Sequence, residues 1–412
     1  MTRSESFDER ARPVKLPKLF GGSANPLLNG RIAEQFSRLT GLEFSLSASK
    51  VGRFADGEVS IEVKESVRGH TVYLLAPTCA NATGSVNEHL VELLLLVSCM
   101  RRASARSITA VIPYFAYARQ DRKMAGRVPI SAADVARLLE TAGVDRVIAV
   151  DLHCGQIQGF FSPRVPCDNL AGASMAIPYF GRLIADRAAQ DGQQIVRPVV
   201  IAPDAGAVAR AKTFRNGLSA YVEKLVRSGG STPEPEQGDA LTAYSRARTM
   251  ANEANHPFVP GPSPGSRGPS PHPGAAAAPV APTVGLAMII KQRSGAGKIG
   301  SVDLVGNVKG CDAIIVDDMI DTAGTLCAAA GELIKFGARR VYAFASHGLF
   351  NGPAPGRIAK SQLHEVVVLD TVPLREACRG HAKIRQISVA PLLAEAIRRT
   401  HFQESMSTLF TG

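Results

Sequence analysis

The sequence predicts an α/β protein built on parallel sheets. Short apolar runs of strand length alternate with stretches of helical spacing along most of the chain, which is the signature of right-handed βαβ units. Several of the apolar runs end in acids, glycines and small residues just ahead of a helix, the place where open parallel sheets bind ligands. No hairpin dipeptide dominates. At 412 residues the chain has the length for two domains with sizeable cores.

Composition narrows the class. Hydrophobic content of 45% and charged content of 20% are globular values. Leu93 to Met100 is apolar but short, and it follows Glu92, so it reads as a buried helix and no membrane span is expected. The N-terminus lacks an apolar h-region and does not look like a secretory signal. A net charge of +11 and a pI near 9.5 fit either nucleic acid or an anionic small molecule. The cations are spread out and Trp is absent, so no nucleic-acid stacking surface is expected. The cysteines at 79, 99, 154, 167, 311, 327 and 378 form no CxxC. That is a reduced, intracellular pattern without a zinc site, and the expected location is the cytoplasm.

In chain order, residues 1–17 are charged and aperiodic and read as a disordered arm. Leu27 to Leu39 has helical spacing, and Val59 to Val63 alternates as a strand with one wet face after Arg53-Phe54-Ala55-Asp56-Gly57-Glu58. Thr71 to Ala76 is a buried strand and Asn87 to Met100 an apolar helix. The strand Ile108 to Phe115 leads to Tyr117-Ala118-Arg119-Gln120-Asp121-Arg122-Lys123, whose cations at a strand's carboxyl end suit an anion; a solvated basic loop is the plainer alternative. Ser131 is expected to cap a helix that ends at Gly143. Val147 to Val150 delivers Asp151-Leu152-His153, and Val199 to Ala202 delivers Pro203-Asp204-Ala205-Gly206 ahead of a helix from Ala207 to Phe214. Residues 228–283 are rich in Pro, Gly, Ser and Ala and read as a disordered insertion.

After the insertion, Gly285 to Ile290 is a strand leading to Lys291-Gln292-Arg293-Ser294. Gly295-Ala296-Gly297-Lys298-Ile299-Gly300 matches G-x-G-x-x-G, but a strand-like alternation from Ser301 to Val305 follows it. A dinucleotide loop needs a helix there, so the stretch reads as a mobile loop. Val341 to Ala345 and Val366 to Leu369 are further strands, and Ile387 to Arg399 is mainly a helix.

The stretch that carries most chemistry is Val316-Asp317-Asp318-Met319-Ile320-Asp321-Thr322-Ala323-Gly324-Thr325. The apolar run Ala313 to Val316 precedes it, and a helix from Leu326 to Phe336, closed by Gly337, follows. Asp317 and Asp318 suit a vicinal diol. The small-residue loop at a helix N-terminus suits a phosphate. A diol close to a phosphate describes a ribose 5-phosphate. The alternative is an ordinary strand-to-helix turn with solvated acids.

These motifs resemble a known family. The decad is similar to the phosphoribosyl-binding signature of type I phosphoribosyltransferases. Phe54-x-Asp56-Gly57-Glu58, Tyr117 to Asp121, Asp151-Leu-His153, Gln156 to Phe161, Pro203 to Gly206, Leu392 to His401 and the tail from Glu404 to Phe410 occur together with it in the order seen in ribose-phosphate pyrophosphokinases. The resemblance runs from about Lys18 to Phe410. It implies two tandem domains of type I phosphoribosyltransferase-like parallel-sheet fold: 18–169 on the ATP side, and 170–395 on the ribose 5-phosphate side containing the insertion 228–283. A tail, 396–412, would pack back on the first domain.

It further implies that ATP and ribose 5-phosphate give phosphoribosyl pyrophosphate and AMP with Mg²⁺. Phe54, Asp56, Glu58, Arg119, Gln120, Asp121 and His153 would serve ATP, the first three from a neighbouring subunit of a homo-oligomer, a hexamer built from dimers. Asp317, Asp318, Asp321, Thr322, Ala323, Gly324 and Thr325 would hold ribose 5-phosphate. His153 and Asp204 would lie near the metal, and Lys291 and Arg293 would be catalytic. Regulation by phosphate and ADP would use Ser66, Arg68, Arg127, Ser405, Ser407 and Phe410. Two departures stand out. Ala202-Pro203-Asp204-Ala205-Gly206-Ala207 replaces the family's Ser-Pro-Asp-x-Gly-Gly, and the loop after Lys123 is less charged. Non-catalytic, synthetase-associated members of the family lose the Arg-Gln-Asp and Asp-Thr-x-Gly-Thr residues; this chain keeps both, so an enzyme is expected rather than a regulatory subunit.

Overall fold

The computed structural model describes residues 15–185, 195–228, 282–293 and 299–410, with the side chains of 291–293 and 299–302 excepted. Most of the expected arm, most of the insertion and the glycine-rich stretch 294–298 lie outside the described residues.

The first half opens with β1 (Lys18–Gly21), α1 (Pro26–Thr40) and the strands β2 (Ser49–Arg53) and β3 (Val59–Val63). It continues with β4 (Thr71–Leu75), α2 (Val86–Arg102), β5 (Ser107–Ile112), α3 (Ser131–Ala142), β6 (Arg146–Val150), β7 (Cys167–Leu170) and α4 (Ala173–Ala185). Strands β1-β4-β5-β6-β7 form one sheet in that order, and every pairing in it is parallel. The second half holds β8 (Val199–Ala202), α5 (Val208–Arg227), β9 (Gly285–Arg293), β10 (Ile299–Val305), β11 (Asp312–Ile320) and α6 (Gly324–Lys335). It ends with β12 (Arg340–Gly348), α7 (Ala354–Lys360), β13 (Leu363–Leu369), β14 (Ile384–Ile387) and α8 (Ala390–His401). Its sheet runs β10-β9-β8-β11-β12-β13-β14, parallel throughout apart from the edge strand β10.

The sequence explains these elements locally. In α1, Asn25 accepts a hydrogen bond from Leu28 N, Pro26 takes the first turn, and Gly41 closes the helix at φ 68°. In α2, Ser85 and Glu88 form a reciprocal capping box. Central strands such as Ala313 to Val316 are buried on both faces because helices cover both sides of the sheet. One core, with Phe115, Leu139 and Val147, lies on one face of the first sheet, and another, with Ile315, Leu333 and Val366, on one face of the second. A third joins the halves: Leu28, Ile32 and Phe36 of α1 share it with Phe180 of α4, Phe214 of α5 and Leu392, Leu393 and Ile397 of α8.

Several expected boundaries move. Ser131 is the first helical residue rather than the cap; its Oγ donates to Gln120 Oε1 at 2.6 Å. Strand β5 stops at Ile112, so Tyr117 to Lys123 sits beyond a short turn instead of at the strand's end. Strand β11 continues through both carboxylates to Ile320, and α6 starts two residues before Leu326. Strand β9 reaches Arg293, where Lys291 pairs with Val302 and Arg293 with Ile299. Ile387 belongs to β14, and α8 starts at Ala390. Strands β2 and β3 form an antiparallel hairpin, of which the sequence pattern marks only Val59 to Val63.

Candidate active site

Strand β11 brings the acids to the cleft between the sheets. Neighbouring residues on a strand face opposite ways, and here Asp318 is buried at 4% exposure while Asp317 is half-buried. Asp318 Oδ2 lies 2.6 Å from His153 Nδ1, a contact that joins the end of β6 in the first sheet to β11 in the second. Arg210, on the first turns of α5, approaches both carboxylates, 3.7 Å from Asp317 Oδ1 and 3.6 Å from Asp318 Oδ1.

These contacts split the two acids. Burial, and then the charge of Asp318, push Asp317 up to about 7. Burial would raise Asp318 too, but the His153 hydrogen bond and the Arg210 charge outweigh it and leave its carboxyl below the usual range. The same hydrogen bond raises His153 against the opposing effect of its own burial. At neutral pH the site therefore holds an ionised Asp318 against a cationic or hydrogen-bond-donating imidazole, with Asp317 able to carry a proton.

The loop after β11 turns tightly into α6. Ala323 sits at φ 56°, in the left-handed region, a conformation that non-glycine residues adopt at a cost. The Asp321 carboxylate accepts from Asn351 Nδ2 at 2.7 Å and from Arg119 Nη1 at 2.8 Å. Asn351 N also donates to Asp321 O at 3.0 Å. Burial works against the Asp321 charge, but the bonds from Asn351 and Arg119 hold its carboxyl low. Arg119 thus reaches from the first half of the chain to the loop of the second.

The other expected residues lie at varying distances from this cleft. Gln120 and Asp121 lie in the same turn as Arg119, Gln120 being fixed by Ser131. Asp204 stands exposed at the end of β8, beside β11, and its Oδ1 accepts from Ala207 N at 3.2 Å. Phe54, Asp56 and Glu58 occupy the tip of the β2–β3 hairpin. All three are exposed, Phe54 to 58%, and none is hydrogen-bonded to the cleft. The side chains of Lys291 and Arg293, and the expectation that both face one way, lie outside the described residues. Ser66, Arg68, Arg127, Ser405, Ser407 and Phe410 are all exposed.

Four residues outside the motifs also shape the cleft. Arg210 carried a weak signal, a cation shortly after the Asp204 turn on the same helix. Asn351 carried none. Ser346 Oγ bonds the Asp151 carboxylate, and buried His347 touches Asp151 O at 3.2 Å and Thr371 Oγ1 at 2.9 Å. These contacts link β6 to β12 beneath the site. Asp151 itself has φ 41°.

No group of three or more His, Cys, Asp or Glu is placed to hold a metal among the described residues. The donor chemistry still suits Mg²⁺, which characteristically takes one or two carboxylates and completes its shell with substrate phosphates and water. Asp204 and Asp317 are such donors. His153 is a poorer one, because Mg²⁺ prefers oxygen.

Residues 17–143 match the N-terminal domain of ribose phosphate pyrophosphokinase, and residues 264–411 match the phosphoribosyl synthetase-associated domain. Ribose-phosphate pyrophosphokinase of Helicobacter hepaticus is 38% identical over 393 residues, covering 95% of this chain and 98% of its own. That of Shewanella oneidensis is 39% identical over 395 residues, covering 96% and 98%. The crystal structure of phosphoribosylpyrophosphate synthetase from Mycobacterium smegmatis superposes with a TM-score of 0.68 at 32% identity, over 94% of this chain and 100% of that one. With similarity of this depth along nearly its whole length, and with the acid pair, the turn into α6 and Arg119 brought to one cleft, the chain belongs to the ribose-phosphate pyrophosphokinase family.

Proposed function

We propose that this chain transfers the pyrophosphoryl group of ATP to the anomeric hydroxyl of ribose 5-phosphate, giving phosphoribosyl pyrophosphate and AMP for nucleotide biosynthesis. The observation that carries the reading is the meeting of two motif sets across the cleft. His153 contacts Asp318 and Arg119 contacts Asp321, so a nucleotide held by the first half lies against a sugar held by the second.

The residues divide the work by charge. Asp317 and Asp318 accept hydrogen bonds from the ribose diol, while Asp321 to Thr325 offer backbone N–H groups at the start of α6 to the 5-phosphate. That leaves the anomeric hydroxyl facing the ATP side. Its oxygen bonds to the β-phosphorus while its proton passes to water, and the bond from that phosphorus to the α–β bridging oxygen breaks, its electron pair leaving with AMP. Such transfers depend chiefly on alignment and on neutralising charge. Arg119, with Gln120 and Asp121 shaping its turn, takes phosphate oxygens. Lys291 and Arg293 stabilise the moving group. His153, raised by Asp318, acts as a donor rather than a base. Mg²⁺, held by Asp204 and Asp317 near His153, would supply Lewis-acid neutralisation of the phosphates.

The exposed hairpin tip with Phe54, Asp56 and Glu58 suits service to a neighbour's adenine, so the working unit is a homo-oligomer, a hexamer built from dimers. Ser66, Arg68, Arg127, Ser405, Ser407 and Phe410 are accessible for regulation by phosphate or ADP. The halves 18–169 and 170–395 act as ATP and ribose 5-phosphate domains in the cytoplasm. Pure protein given ATP, ribose 5-phosphate and Mg²⁺ should form AMP and phosphoribosyl pyrophosphate in equal amounts, followed by phosphorus NMR. Protein that binds ATP yet forms neither product decides for a regulatory subunit instead.

A further inference from the structure

We propose that Arg357 is a positioning residue for the 5-phosphate subsite. It holds the Thr322–Ala323 peptide in the orientation that turns an N–H toward the phosphate. The inference rests on the ribose 5-phosphate reading above and adds to it a residue from outside the motif.

Arg357 lies on α7, a short helix that crosses beside the loop. Its Nη1 donates to Thr322 O at 3.0 Å. A trans peptide is planar, with its carbonyl and N–H pointing opposite ways. A Thr322 carbonyl drawn toward α7 therefore sends the Ala323 N–H to the other side of the loop. Ala323 has φ 56° and ψ 9°, and a left-handed residue within a turn is what lines up successive N–H groups into an anion-binding concavity. That conformation costs backbone energy for an alanine, so something outside the residue must hold it. Arg357 is placed to do so.

Two further observations fit. A Cβ built on Gly324 would lie 3.2 Å from Arg357 Nη1, so the glycine leaves the guanidinium room to lie over the loop. The segment leading into α7 also grips the loop one residue earlier, through the two Asn351 bonds to Asp321. The arginine itself is well founded: its N–H bonds Pro353 O at 3.0 Å, and its neighbours Ala354 and Ile358 are fully buried. Its partner in the loop is a carbonyl, and among the described residues it forms no ion pair. The positive charge beside the subsite is left available to an anion.

The test uses the full chain with Arg357→Ala and Arg357→Lys. Ribose 5-phosphate is titrated by calorimetry, and both Michaelis constants are measured. In Arg357→Ala the Kd and KM for ribose 5-phosphate should rise on the order of tenfold. The KM for ATP and the thermal midpoint should stay near wild type, and the lysine, which keeps a donor and a charge, should recover most of the affinity. A ribose 5-phosphate KM within about twofold of wild type overturns the proposal, as does an equal loss for both substrates or a lysine variant as poor as the alanine. If Arg357→Ala does not fold, Arg357→Gln, which retains a donor without the charge, is titrated in its place against the same criteria. Wild-type protein that forms no AMP would defeat the reaction assignment, whereas the ribose 5-phosphate titration judges Arg357 by itself.

Discussion

Replacing Asp318 with Asn tests the sugar site with little change of shape. The side chain is 4% exposed and nearly isosteric with the amide, so β11 should pack as before. Three things change together. The diol loses a charged acceptor; a hydrogen bond to a charged group is worth about 1.5–3 kcal/mol, or about ten- to hundredfold in kcat/KM at minimum. His153 loses the carboxylate 2.6 Å from its Nδ1, so its pKa should fall from the raised value. Asp317 loses the like charge beside it, the second cause of its rise to about 7, and should ionise more readily. Because His153 is raised in the folded state, its pairing stabilises the protein below the ordinary value of 6.5 and is lost as pH rises through the folded value. In the variant that dependence should flatten. The assays are AMP release, the His153 ring titration by NMR, and thermal unfolding. A kcat/KM within about threefold of wild type, in a variant that is fully folded, would refute the assignment of Asp318 to the diol.

If Lys291 has its proposed catalytic role, Lys291→Ala should lower kcat by on the order of a hundredfold with much smaller changes in either KM; a shift in KM alone would remove it from the chemistry. Glu395, at 8% exposure, accepts from Arg398 Nε at 2.8 Å and Arg399 Nε at 2.7 Å, so Glu395→Gln should destabilise by about 1.5–3 kcal/mol in urea melts. Burial opposes the Glu395 charge but those two bonds prevail and lower its pKa. Its stabilisation is thus present above the ordinary 4.5 and lost as pH falls through the lower folded value, and the variant's acid limb should be shallower. Replacing residues 230–282 with a short Gly/Ser linker should preserve solubility and the melting temperature, because closure entropy changes slowly with loop length; insoluble protein would mean the segment belongs to a packed unit.

What was legible in the sequence followed from local chemistry. The acid pair, the turn into α6 and the strands feeding them could be read because a doubly buried strand leaves an unbroken apolar run and a helix start leaves small residues. Helix α4 is hard to read locally because its buried residues run without a break from Ala173 to Pro178 and because a proline, Pro178, sits inside it. The edge strands β7 and β14, Cys-Asp-Asn-Leu and Ile-Arg-Gln-Ile, are too short and polar to announce themselves. Arg210, Asn351 and His347 matter through contacts far apart in sequence, and no local pattern encodes those. The Arg119–Asp321 pair spans 202 positions and could only come from the folded chain.

The core shared by α1 and α8 bears on how the protein is made. Ile32 and Phe36 leave the ribosome long before Leu392, Leu393 and Ile397, which cover them. The Asn25 amide and the Arg31 guanidinium likewise wait for Asp370, each at 2.8 Å, and Ala171 N waits for Leu409 O. Until α8 has emerged, the amino-terminal half therefore carries an uncovered apolar face. Contacts of such long sequence separation are slow to form and leave intermediates open to aggregation. Chains cut before residue 390 should appear as chaperone clients or inclusion bodies, even though every strand of the first sheet has already been built.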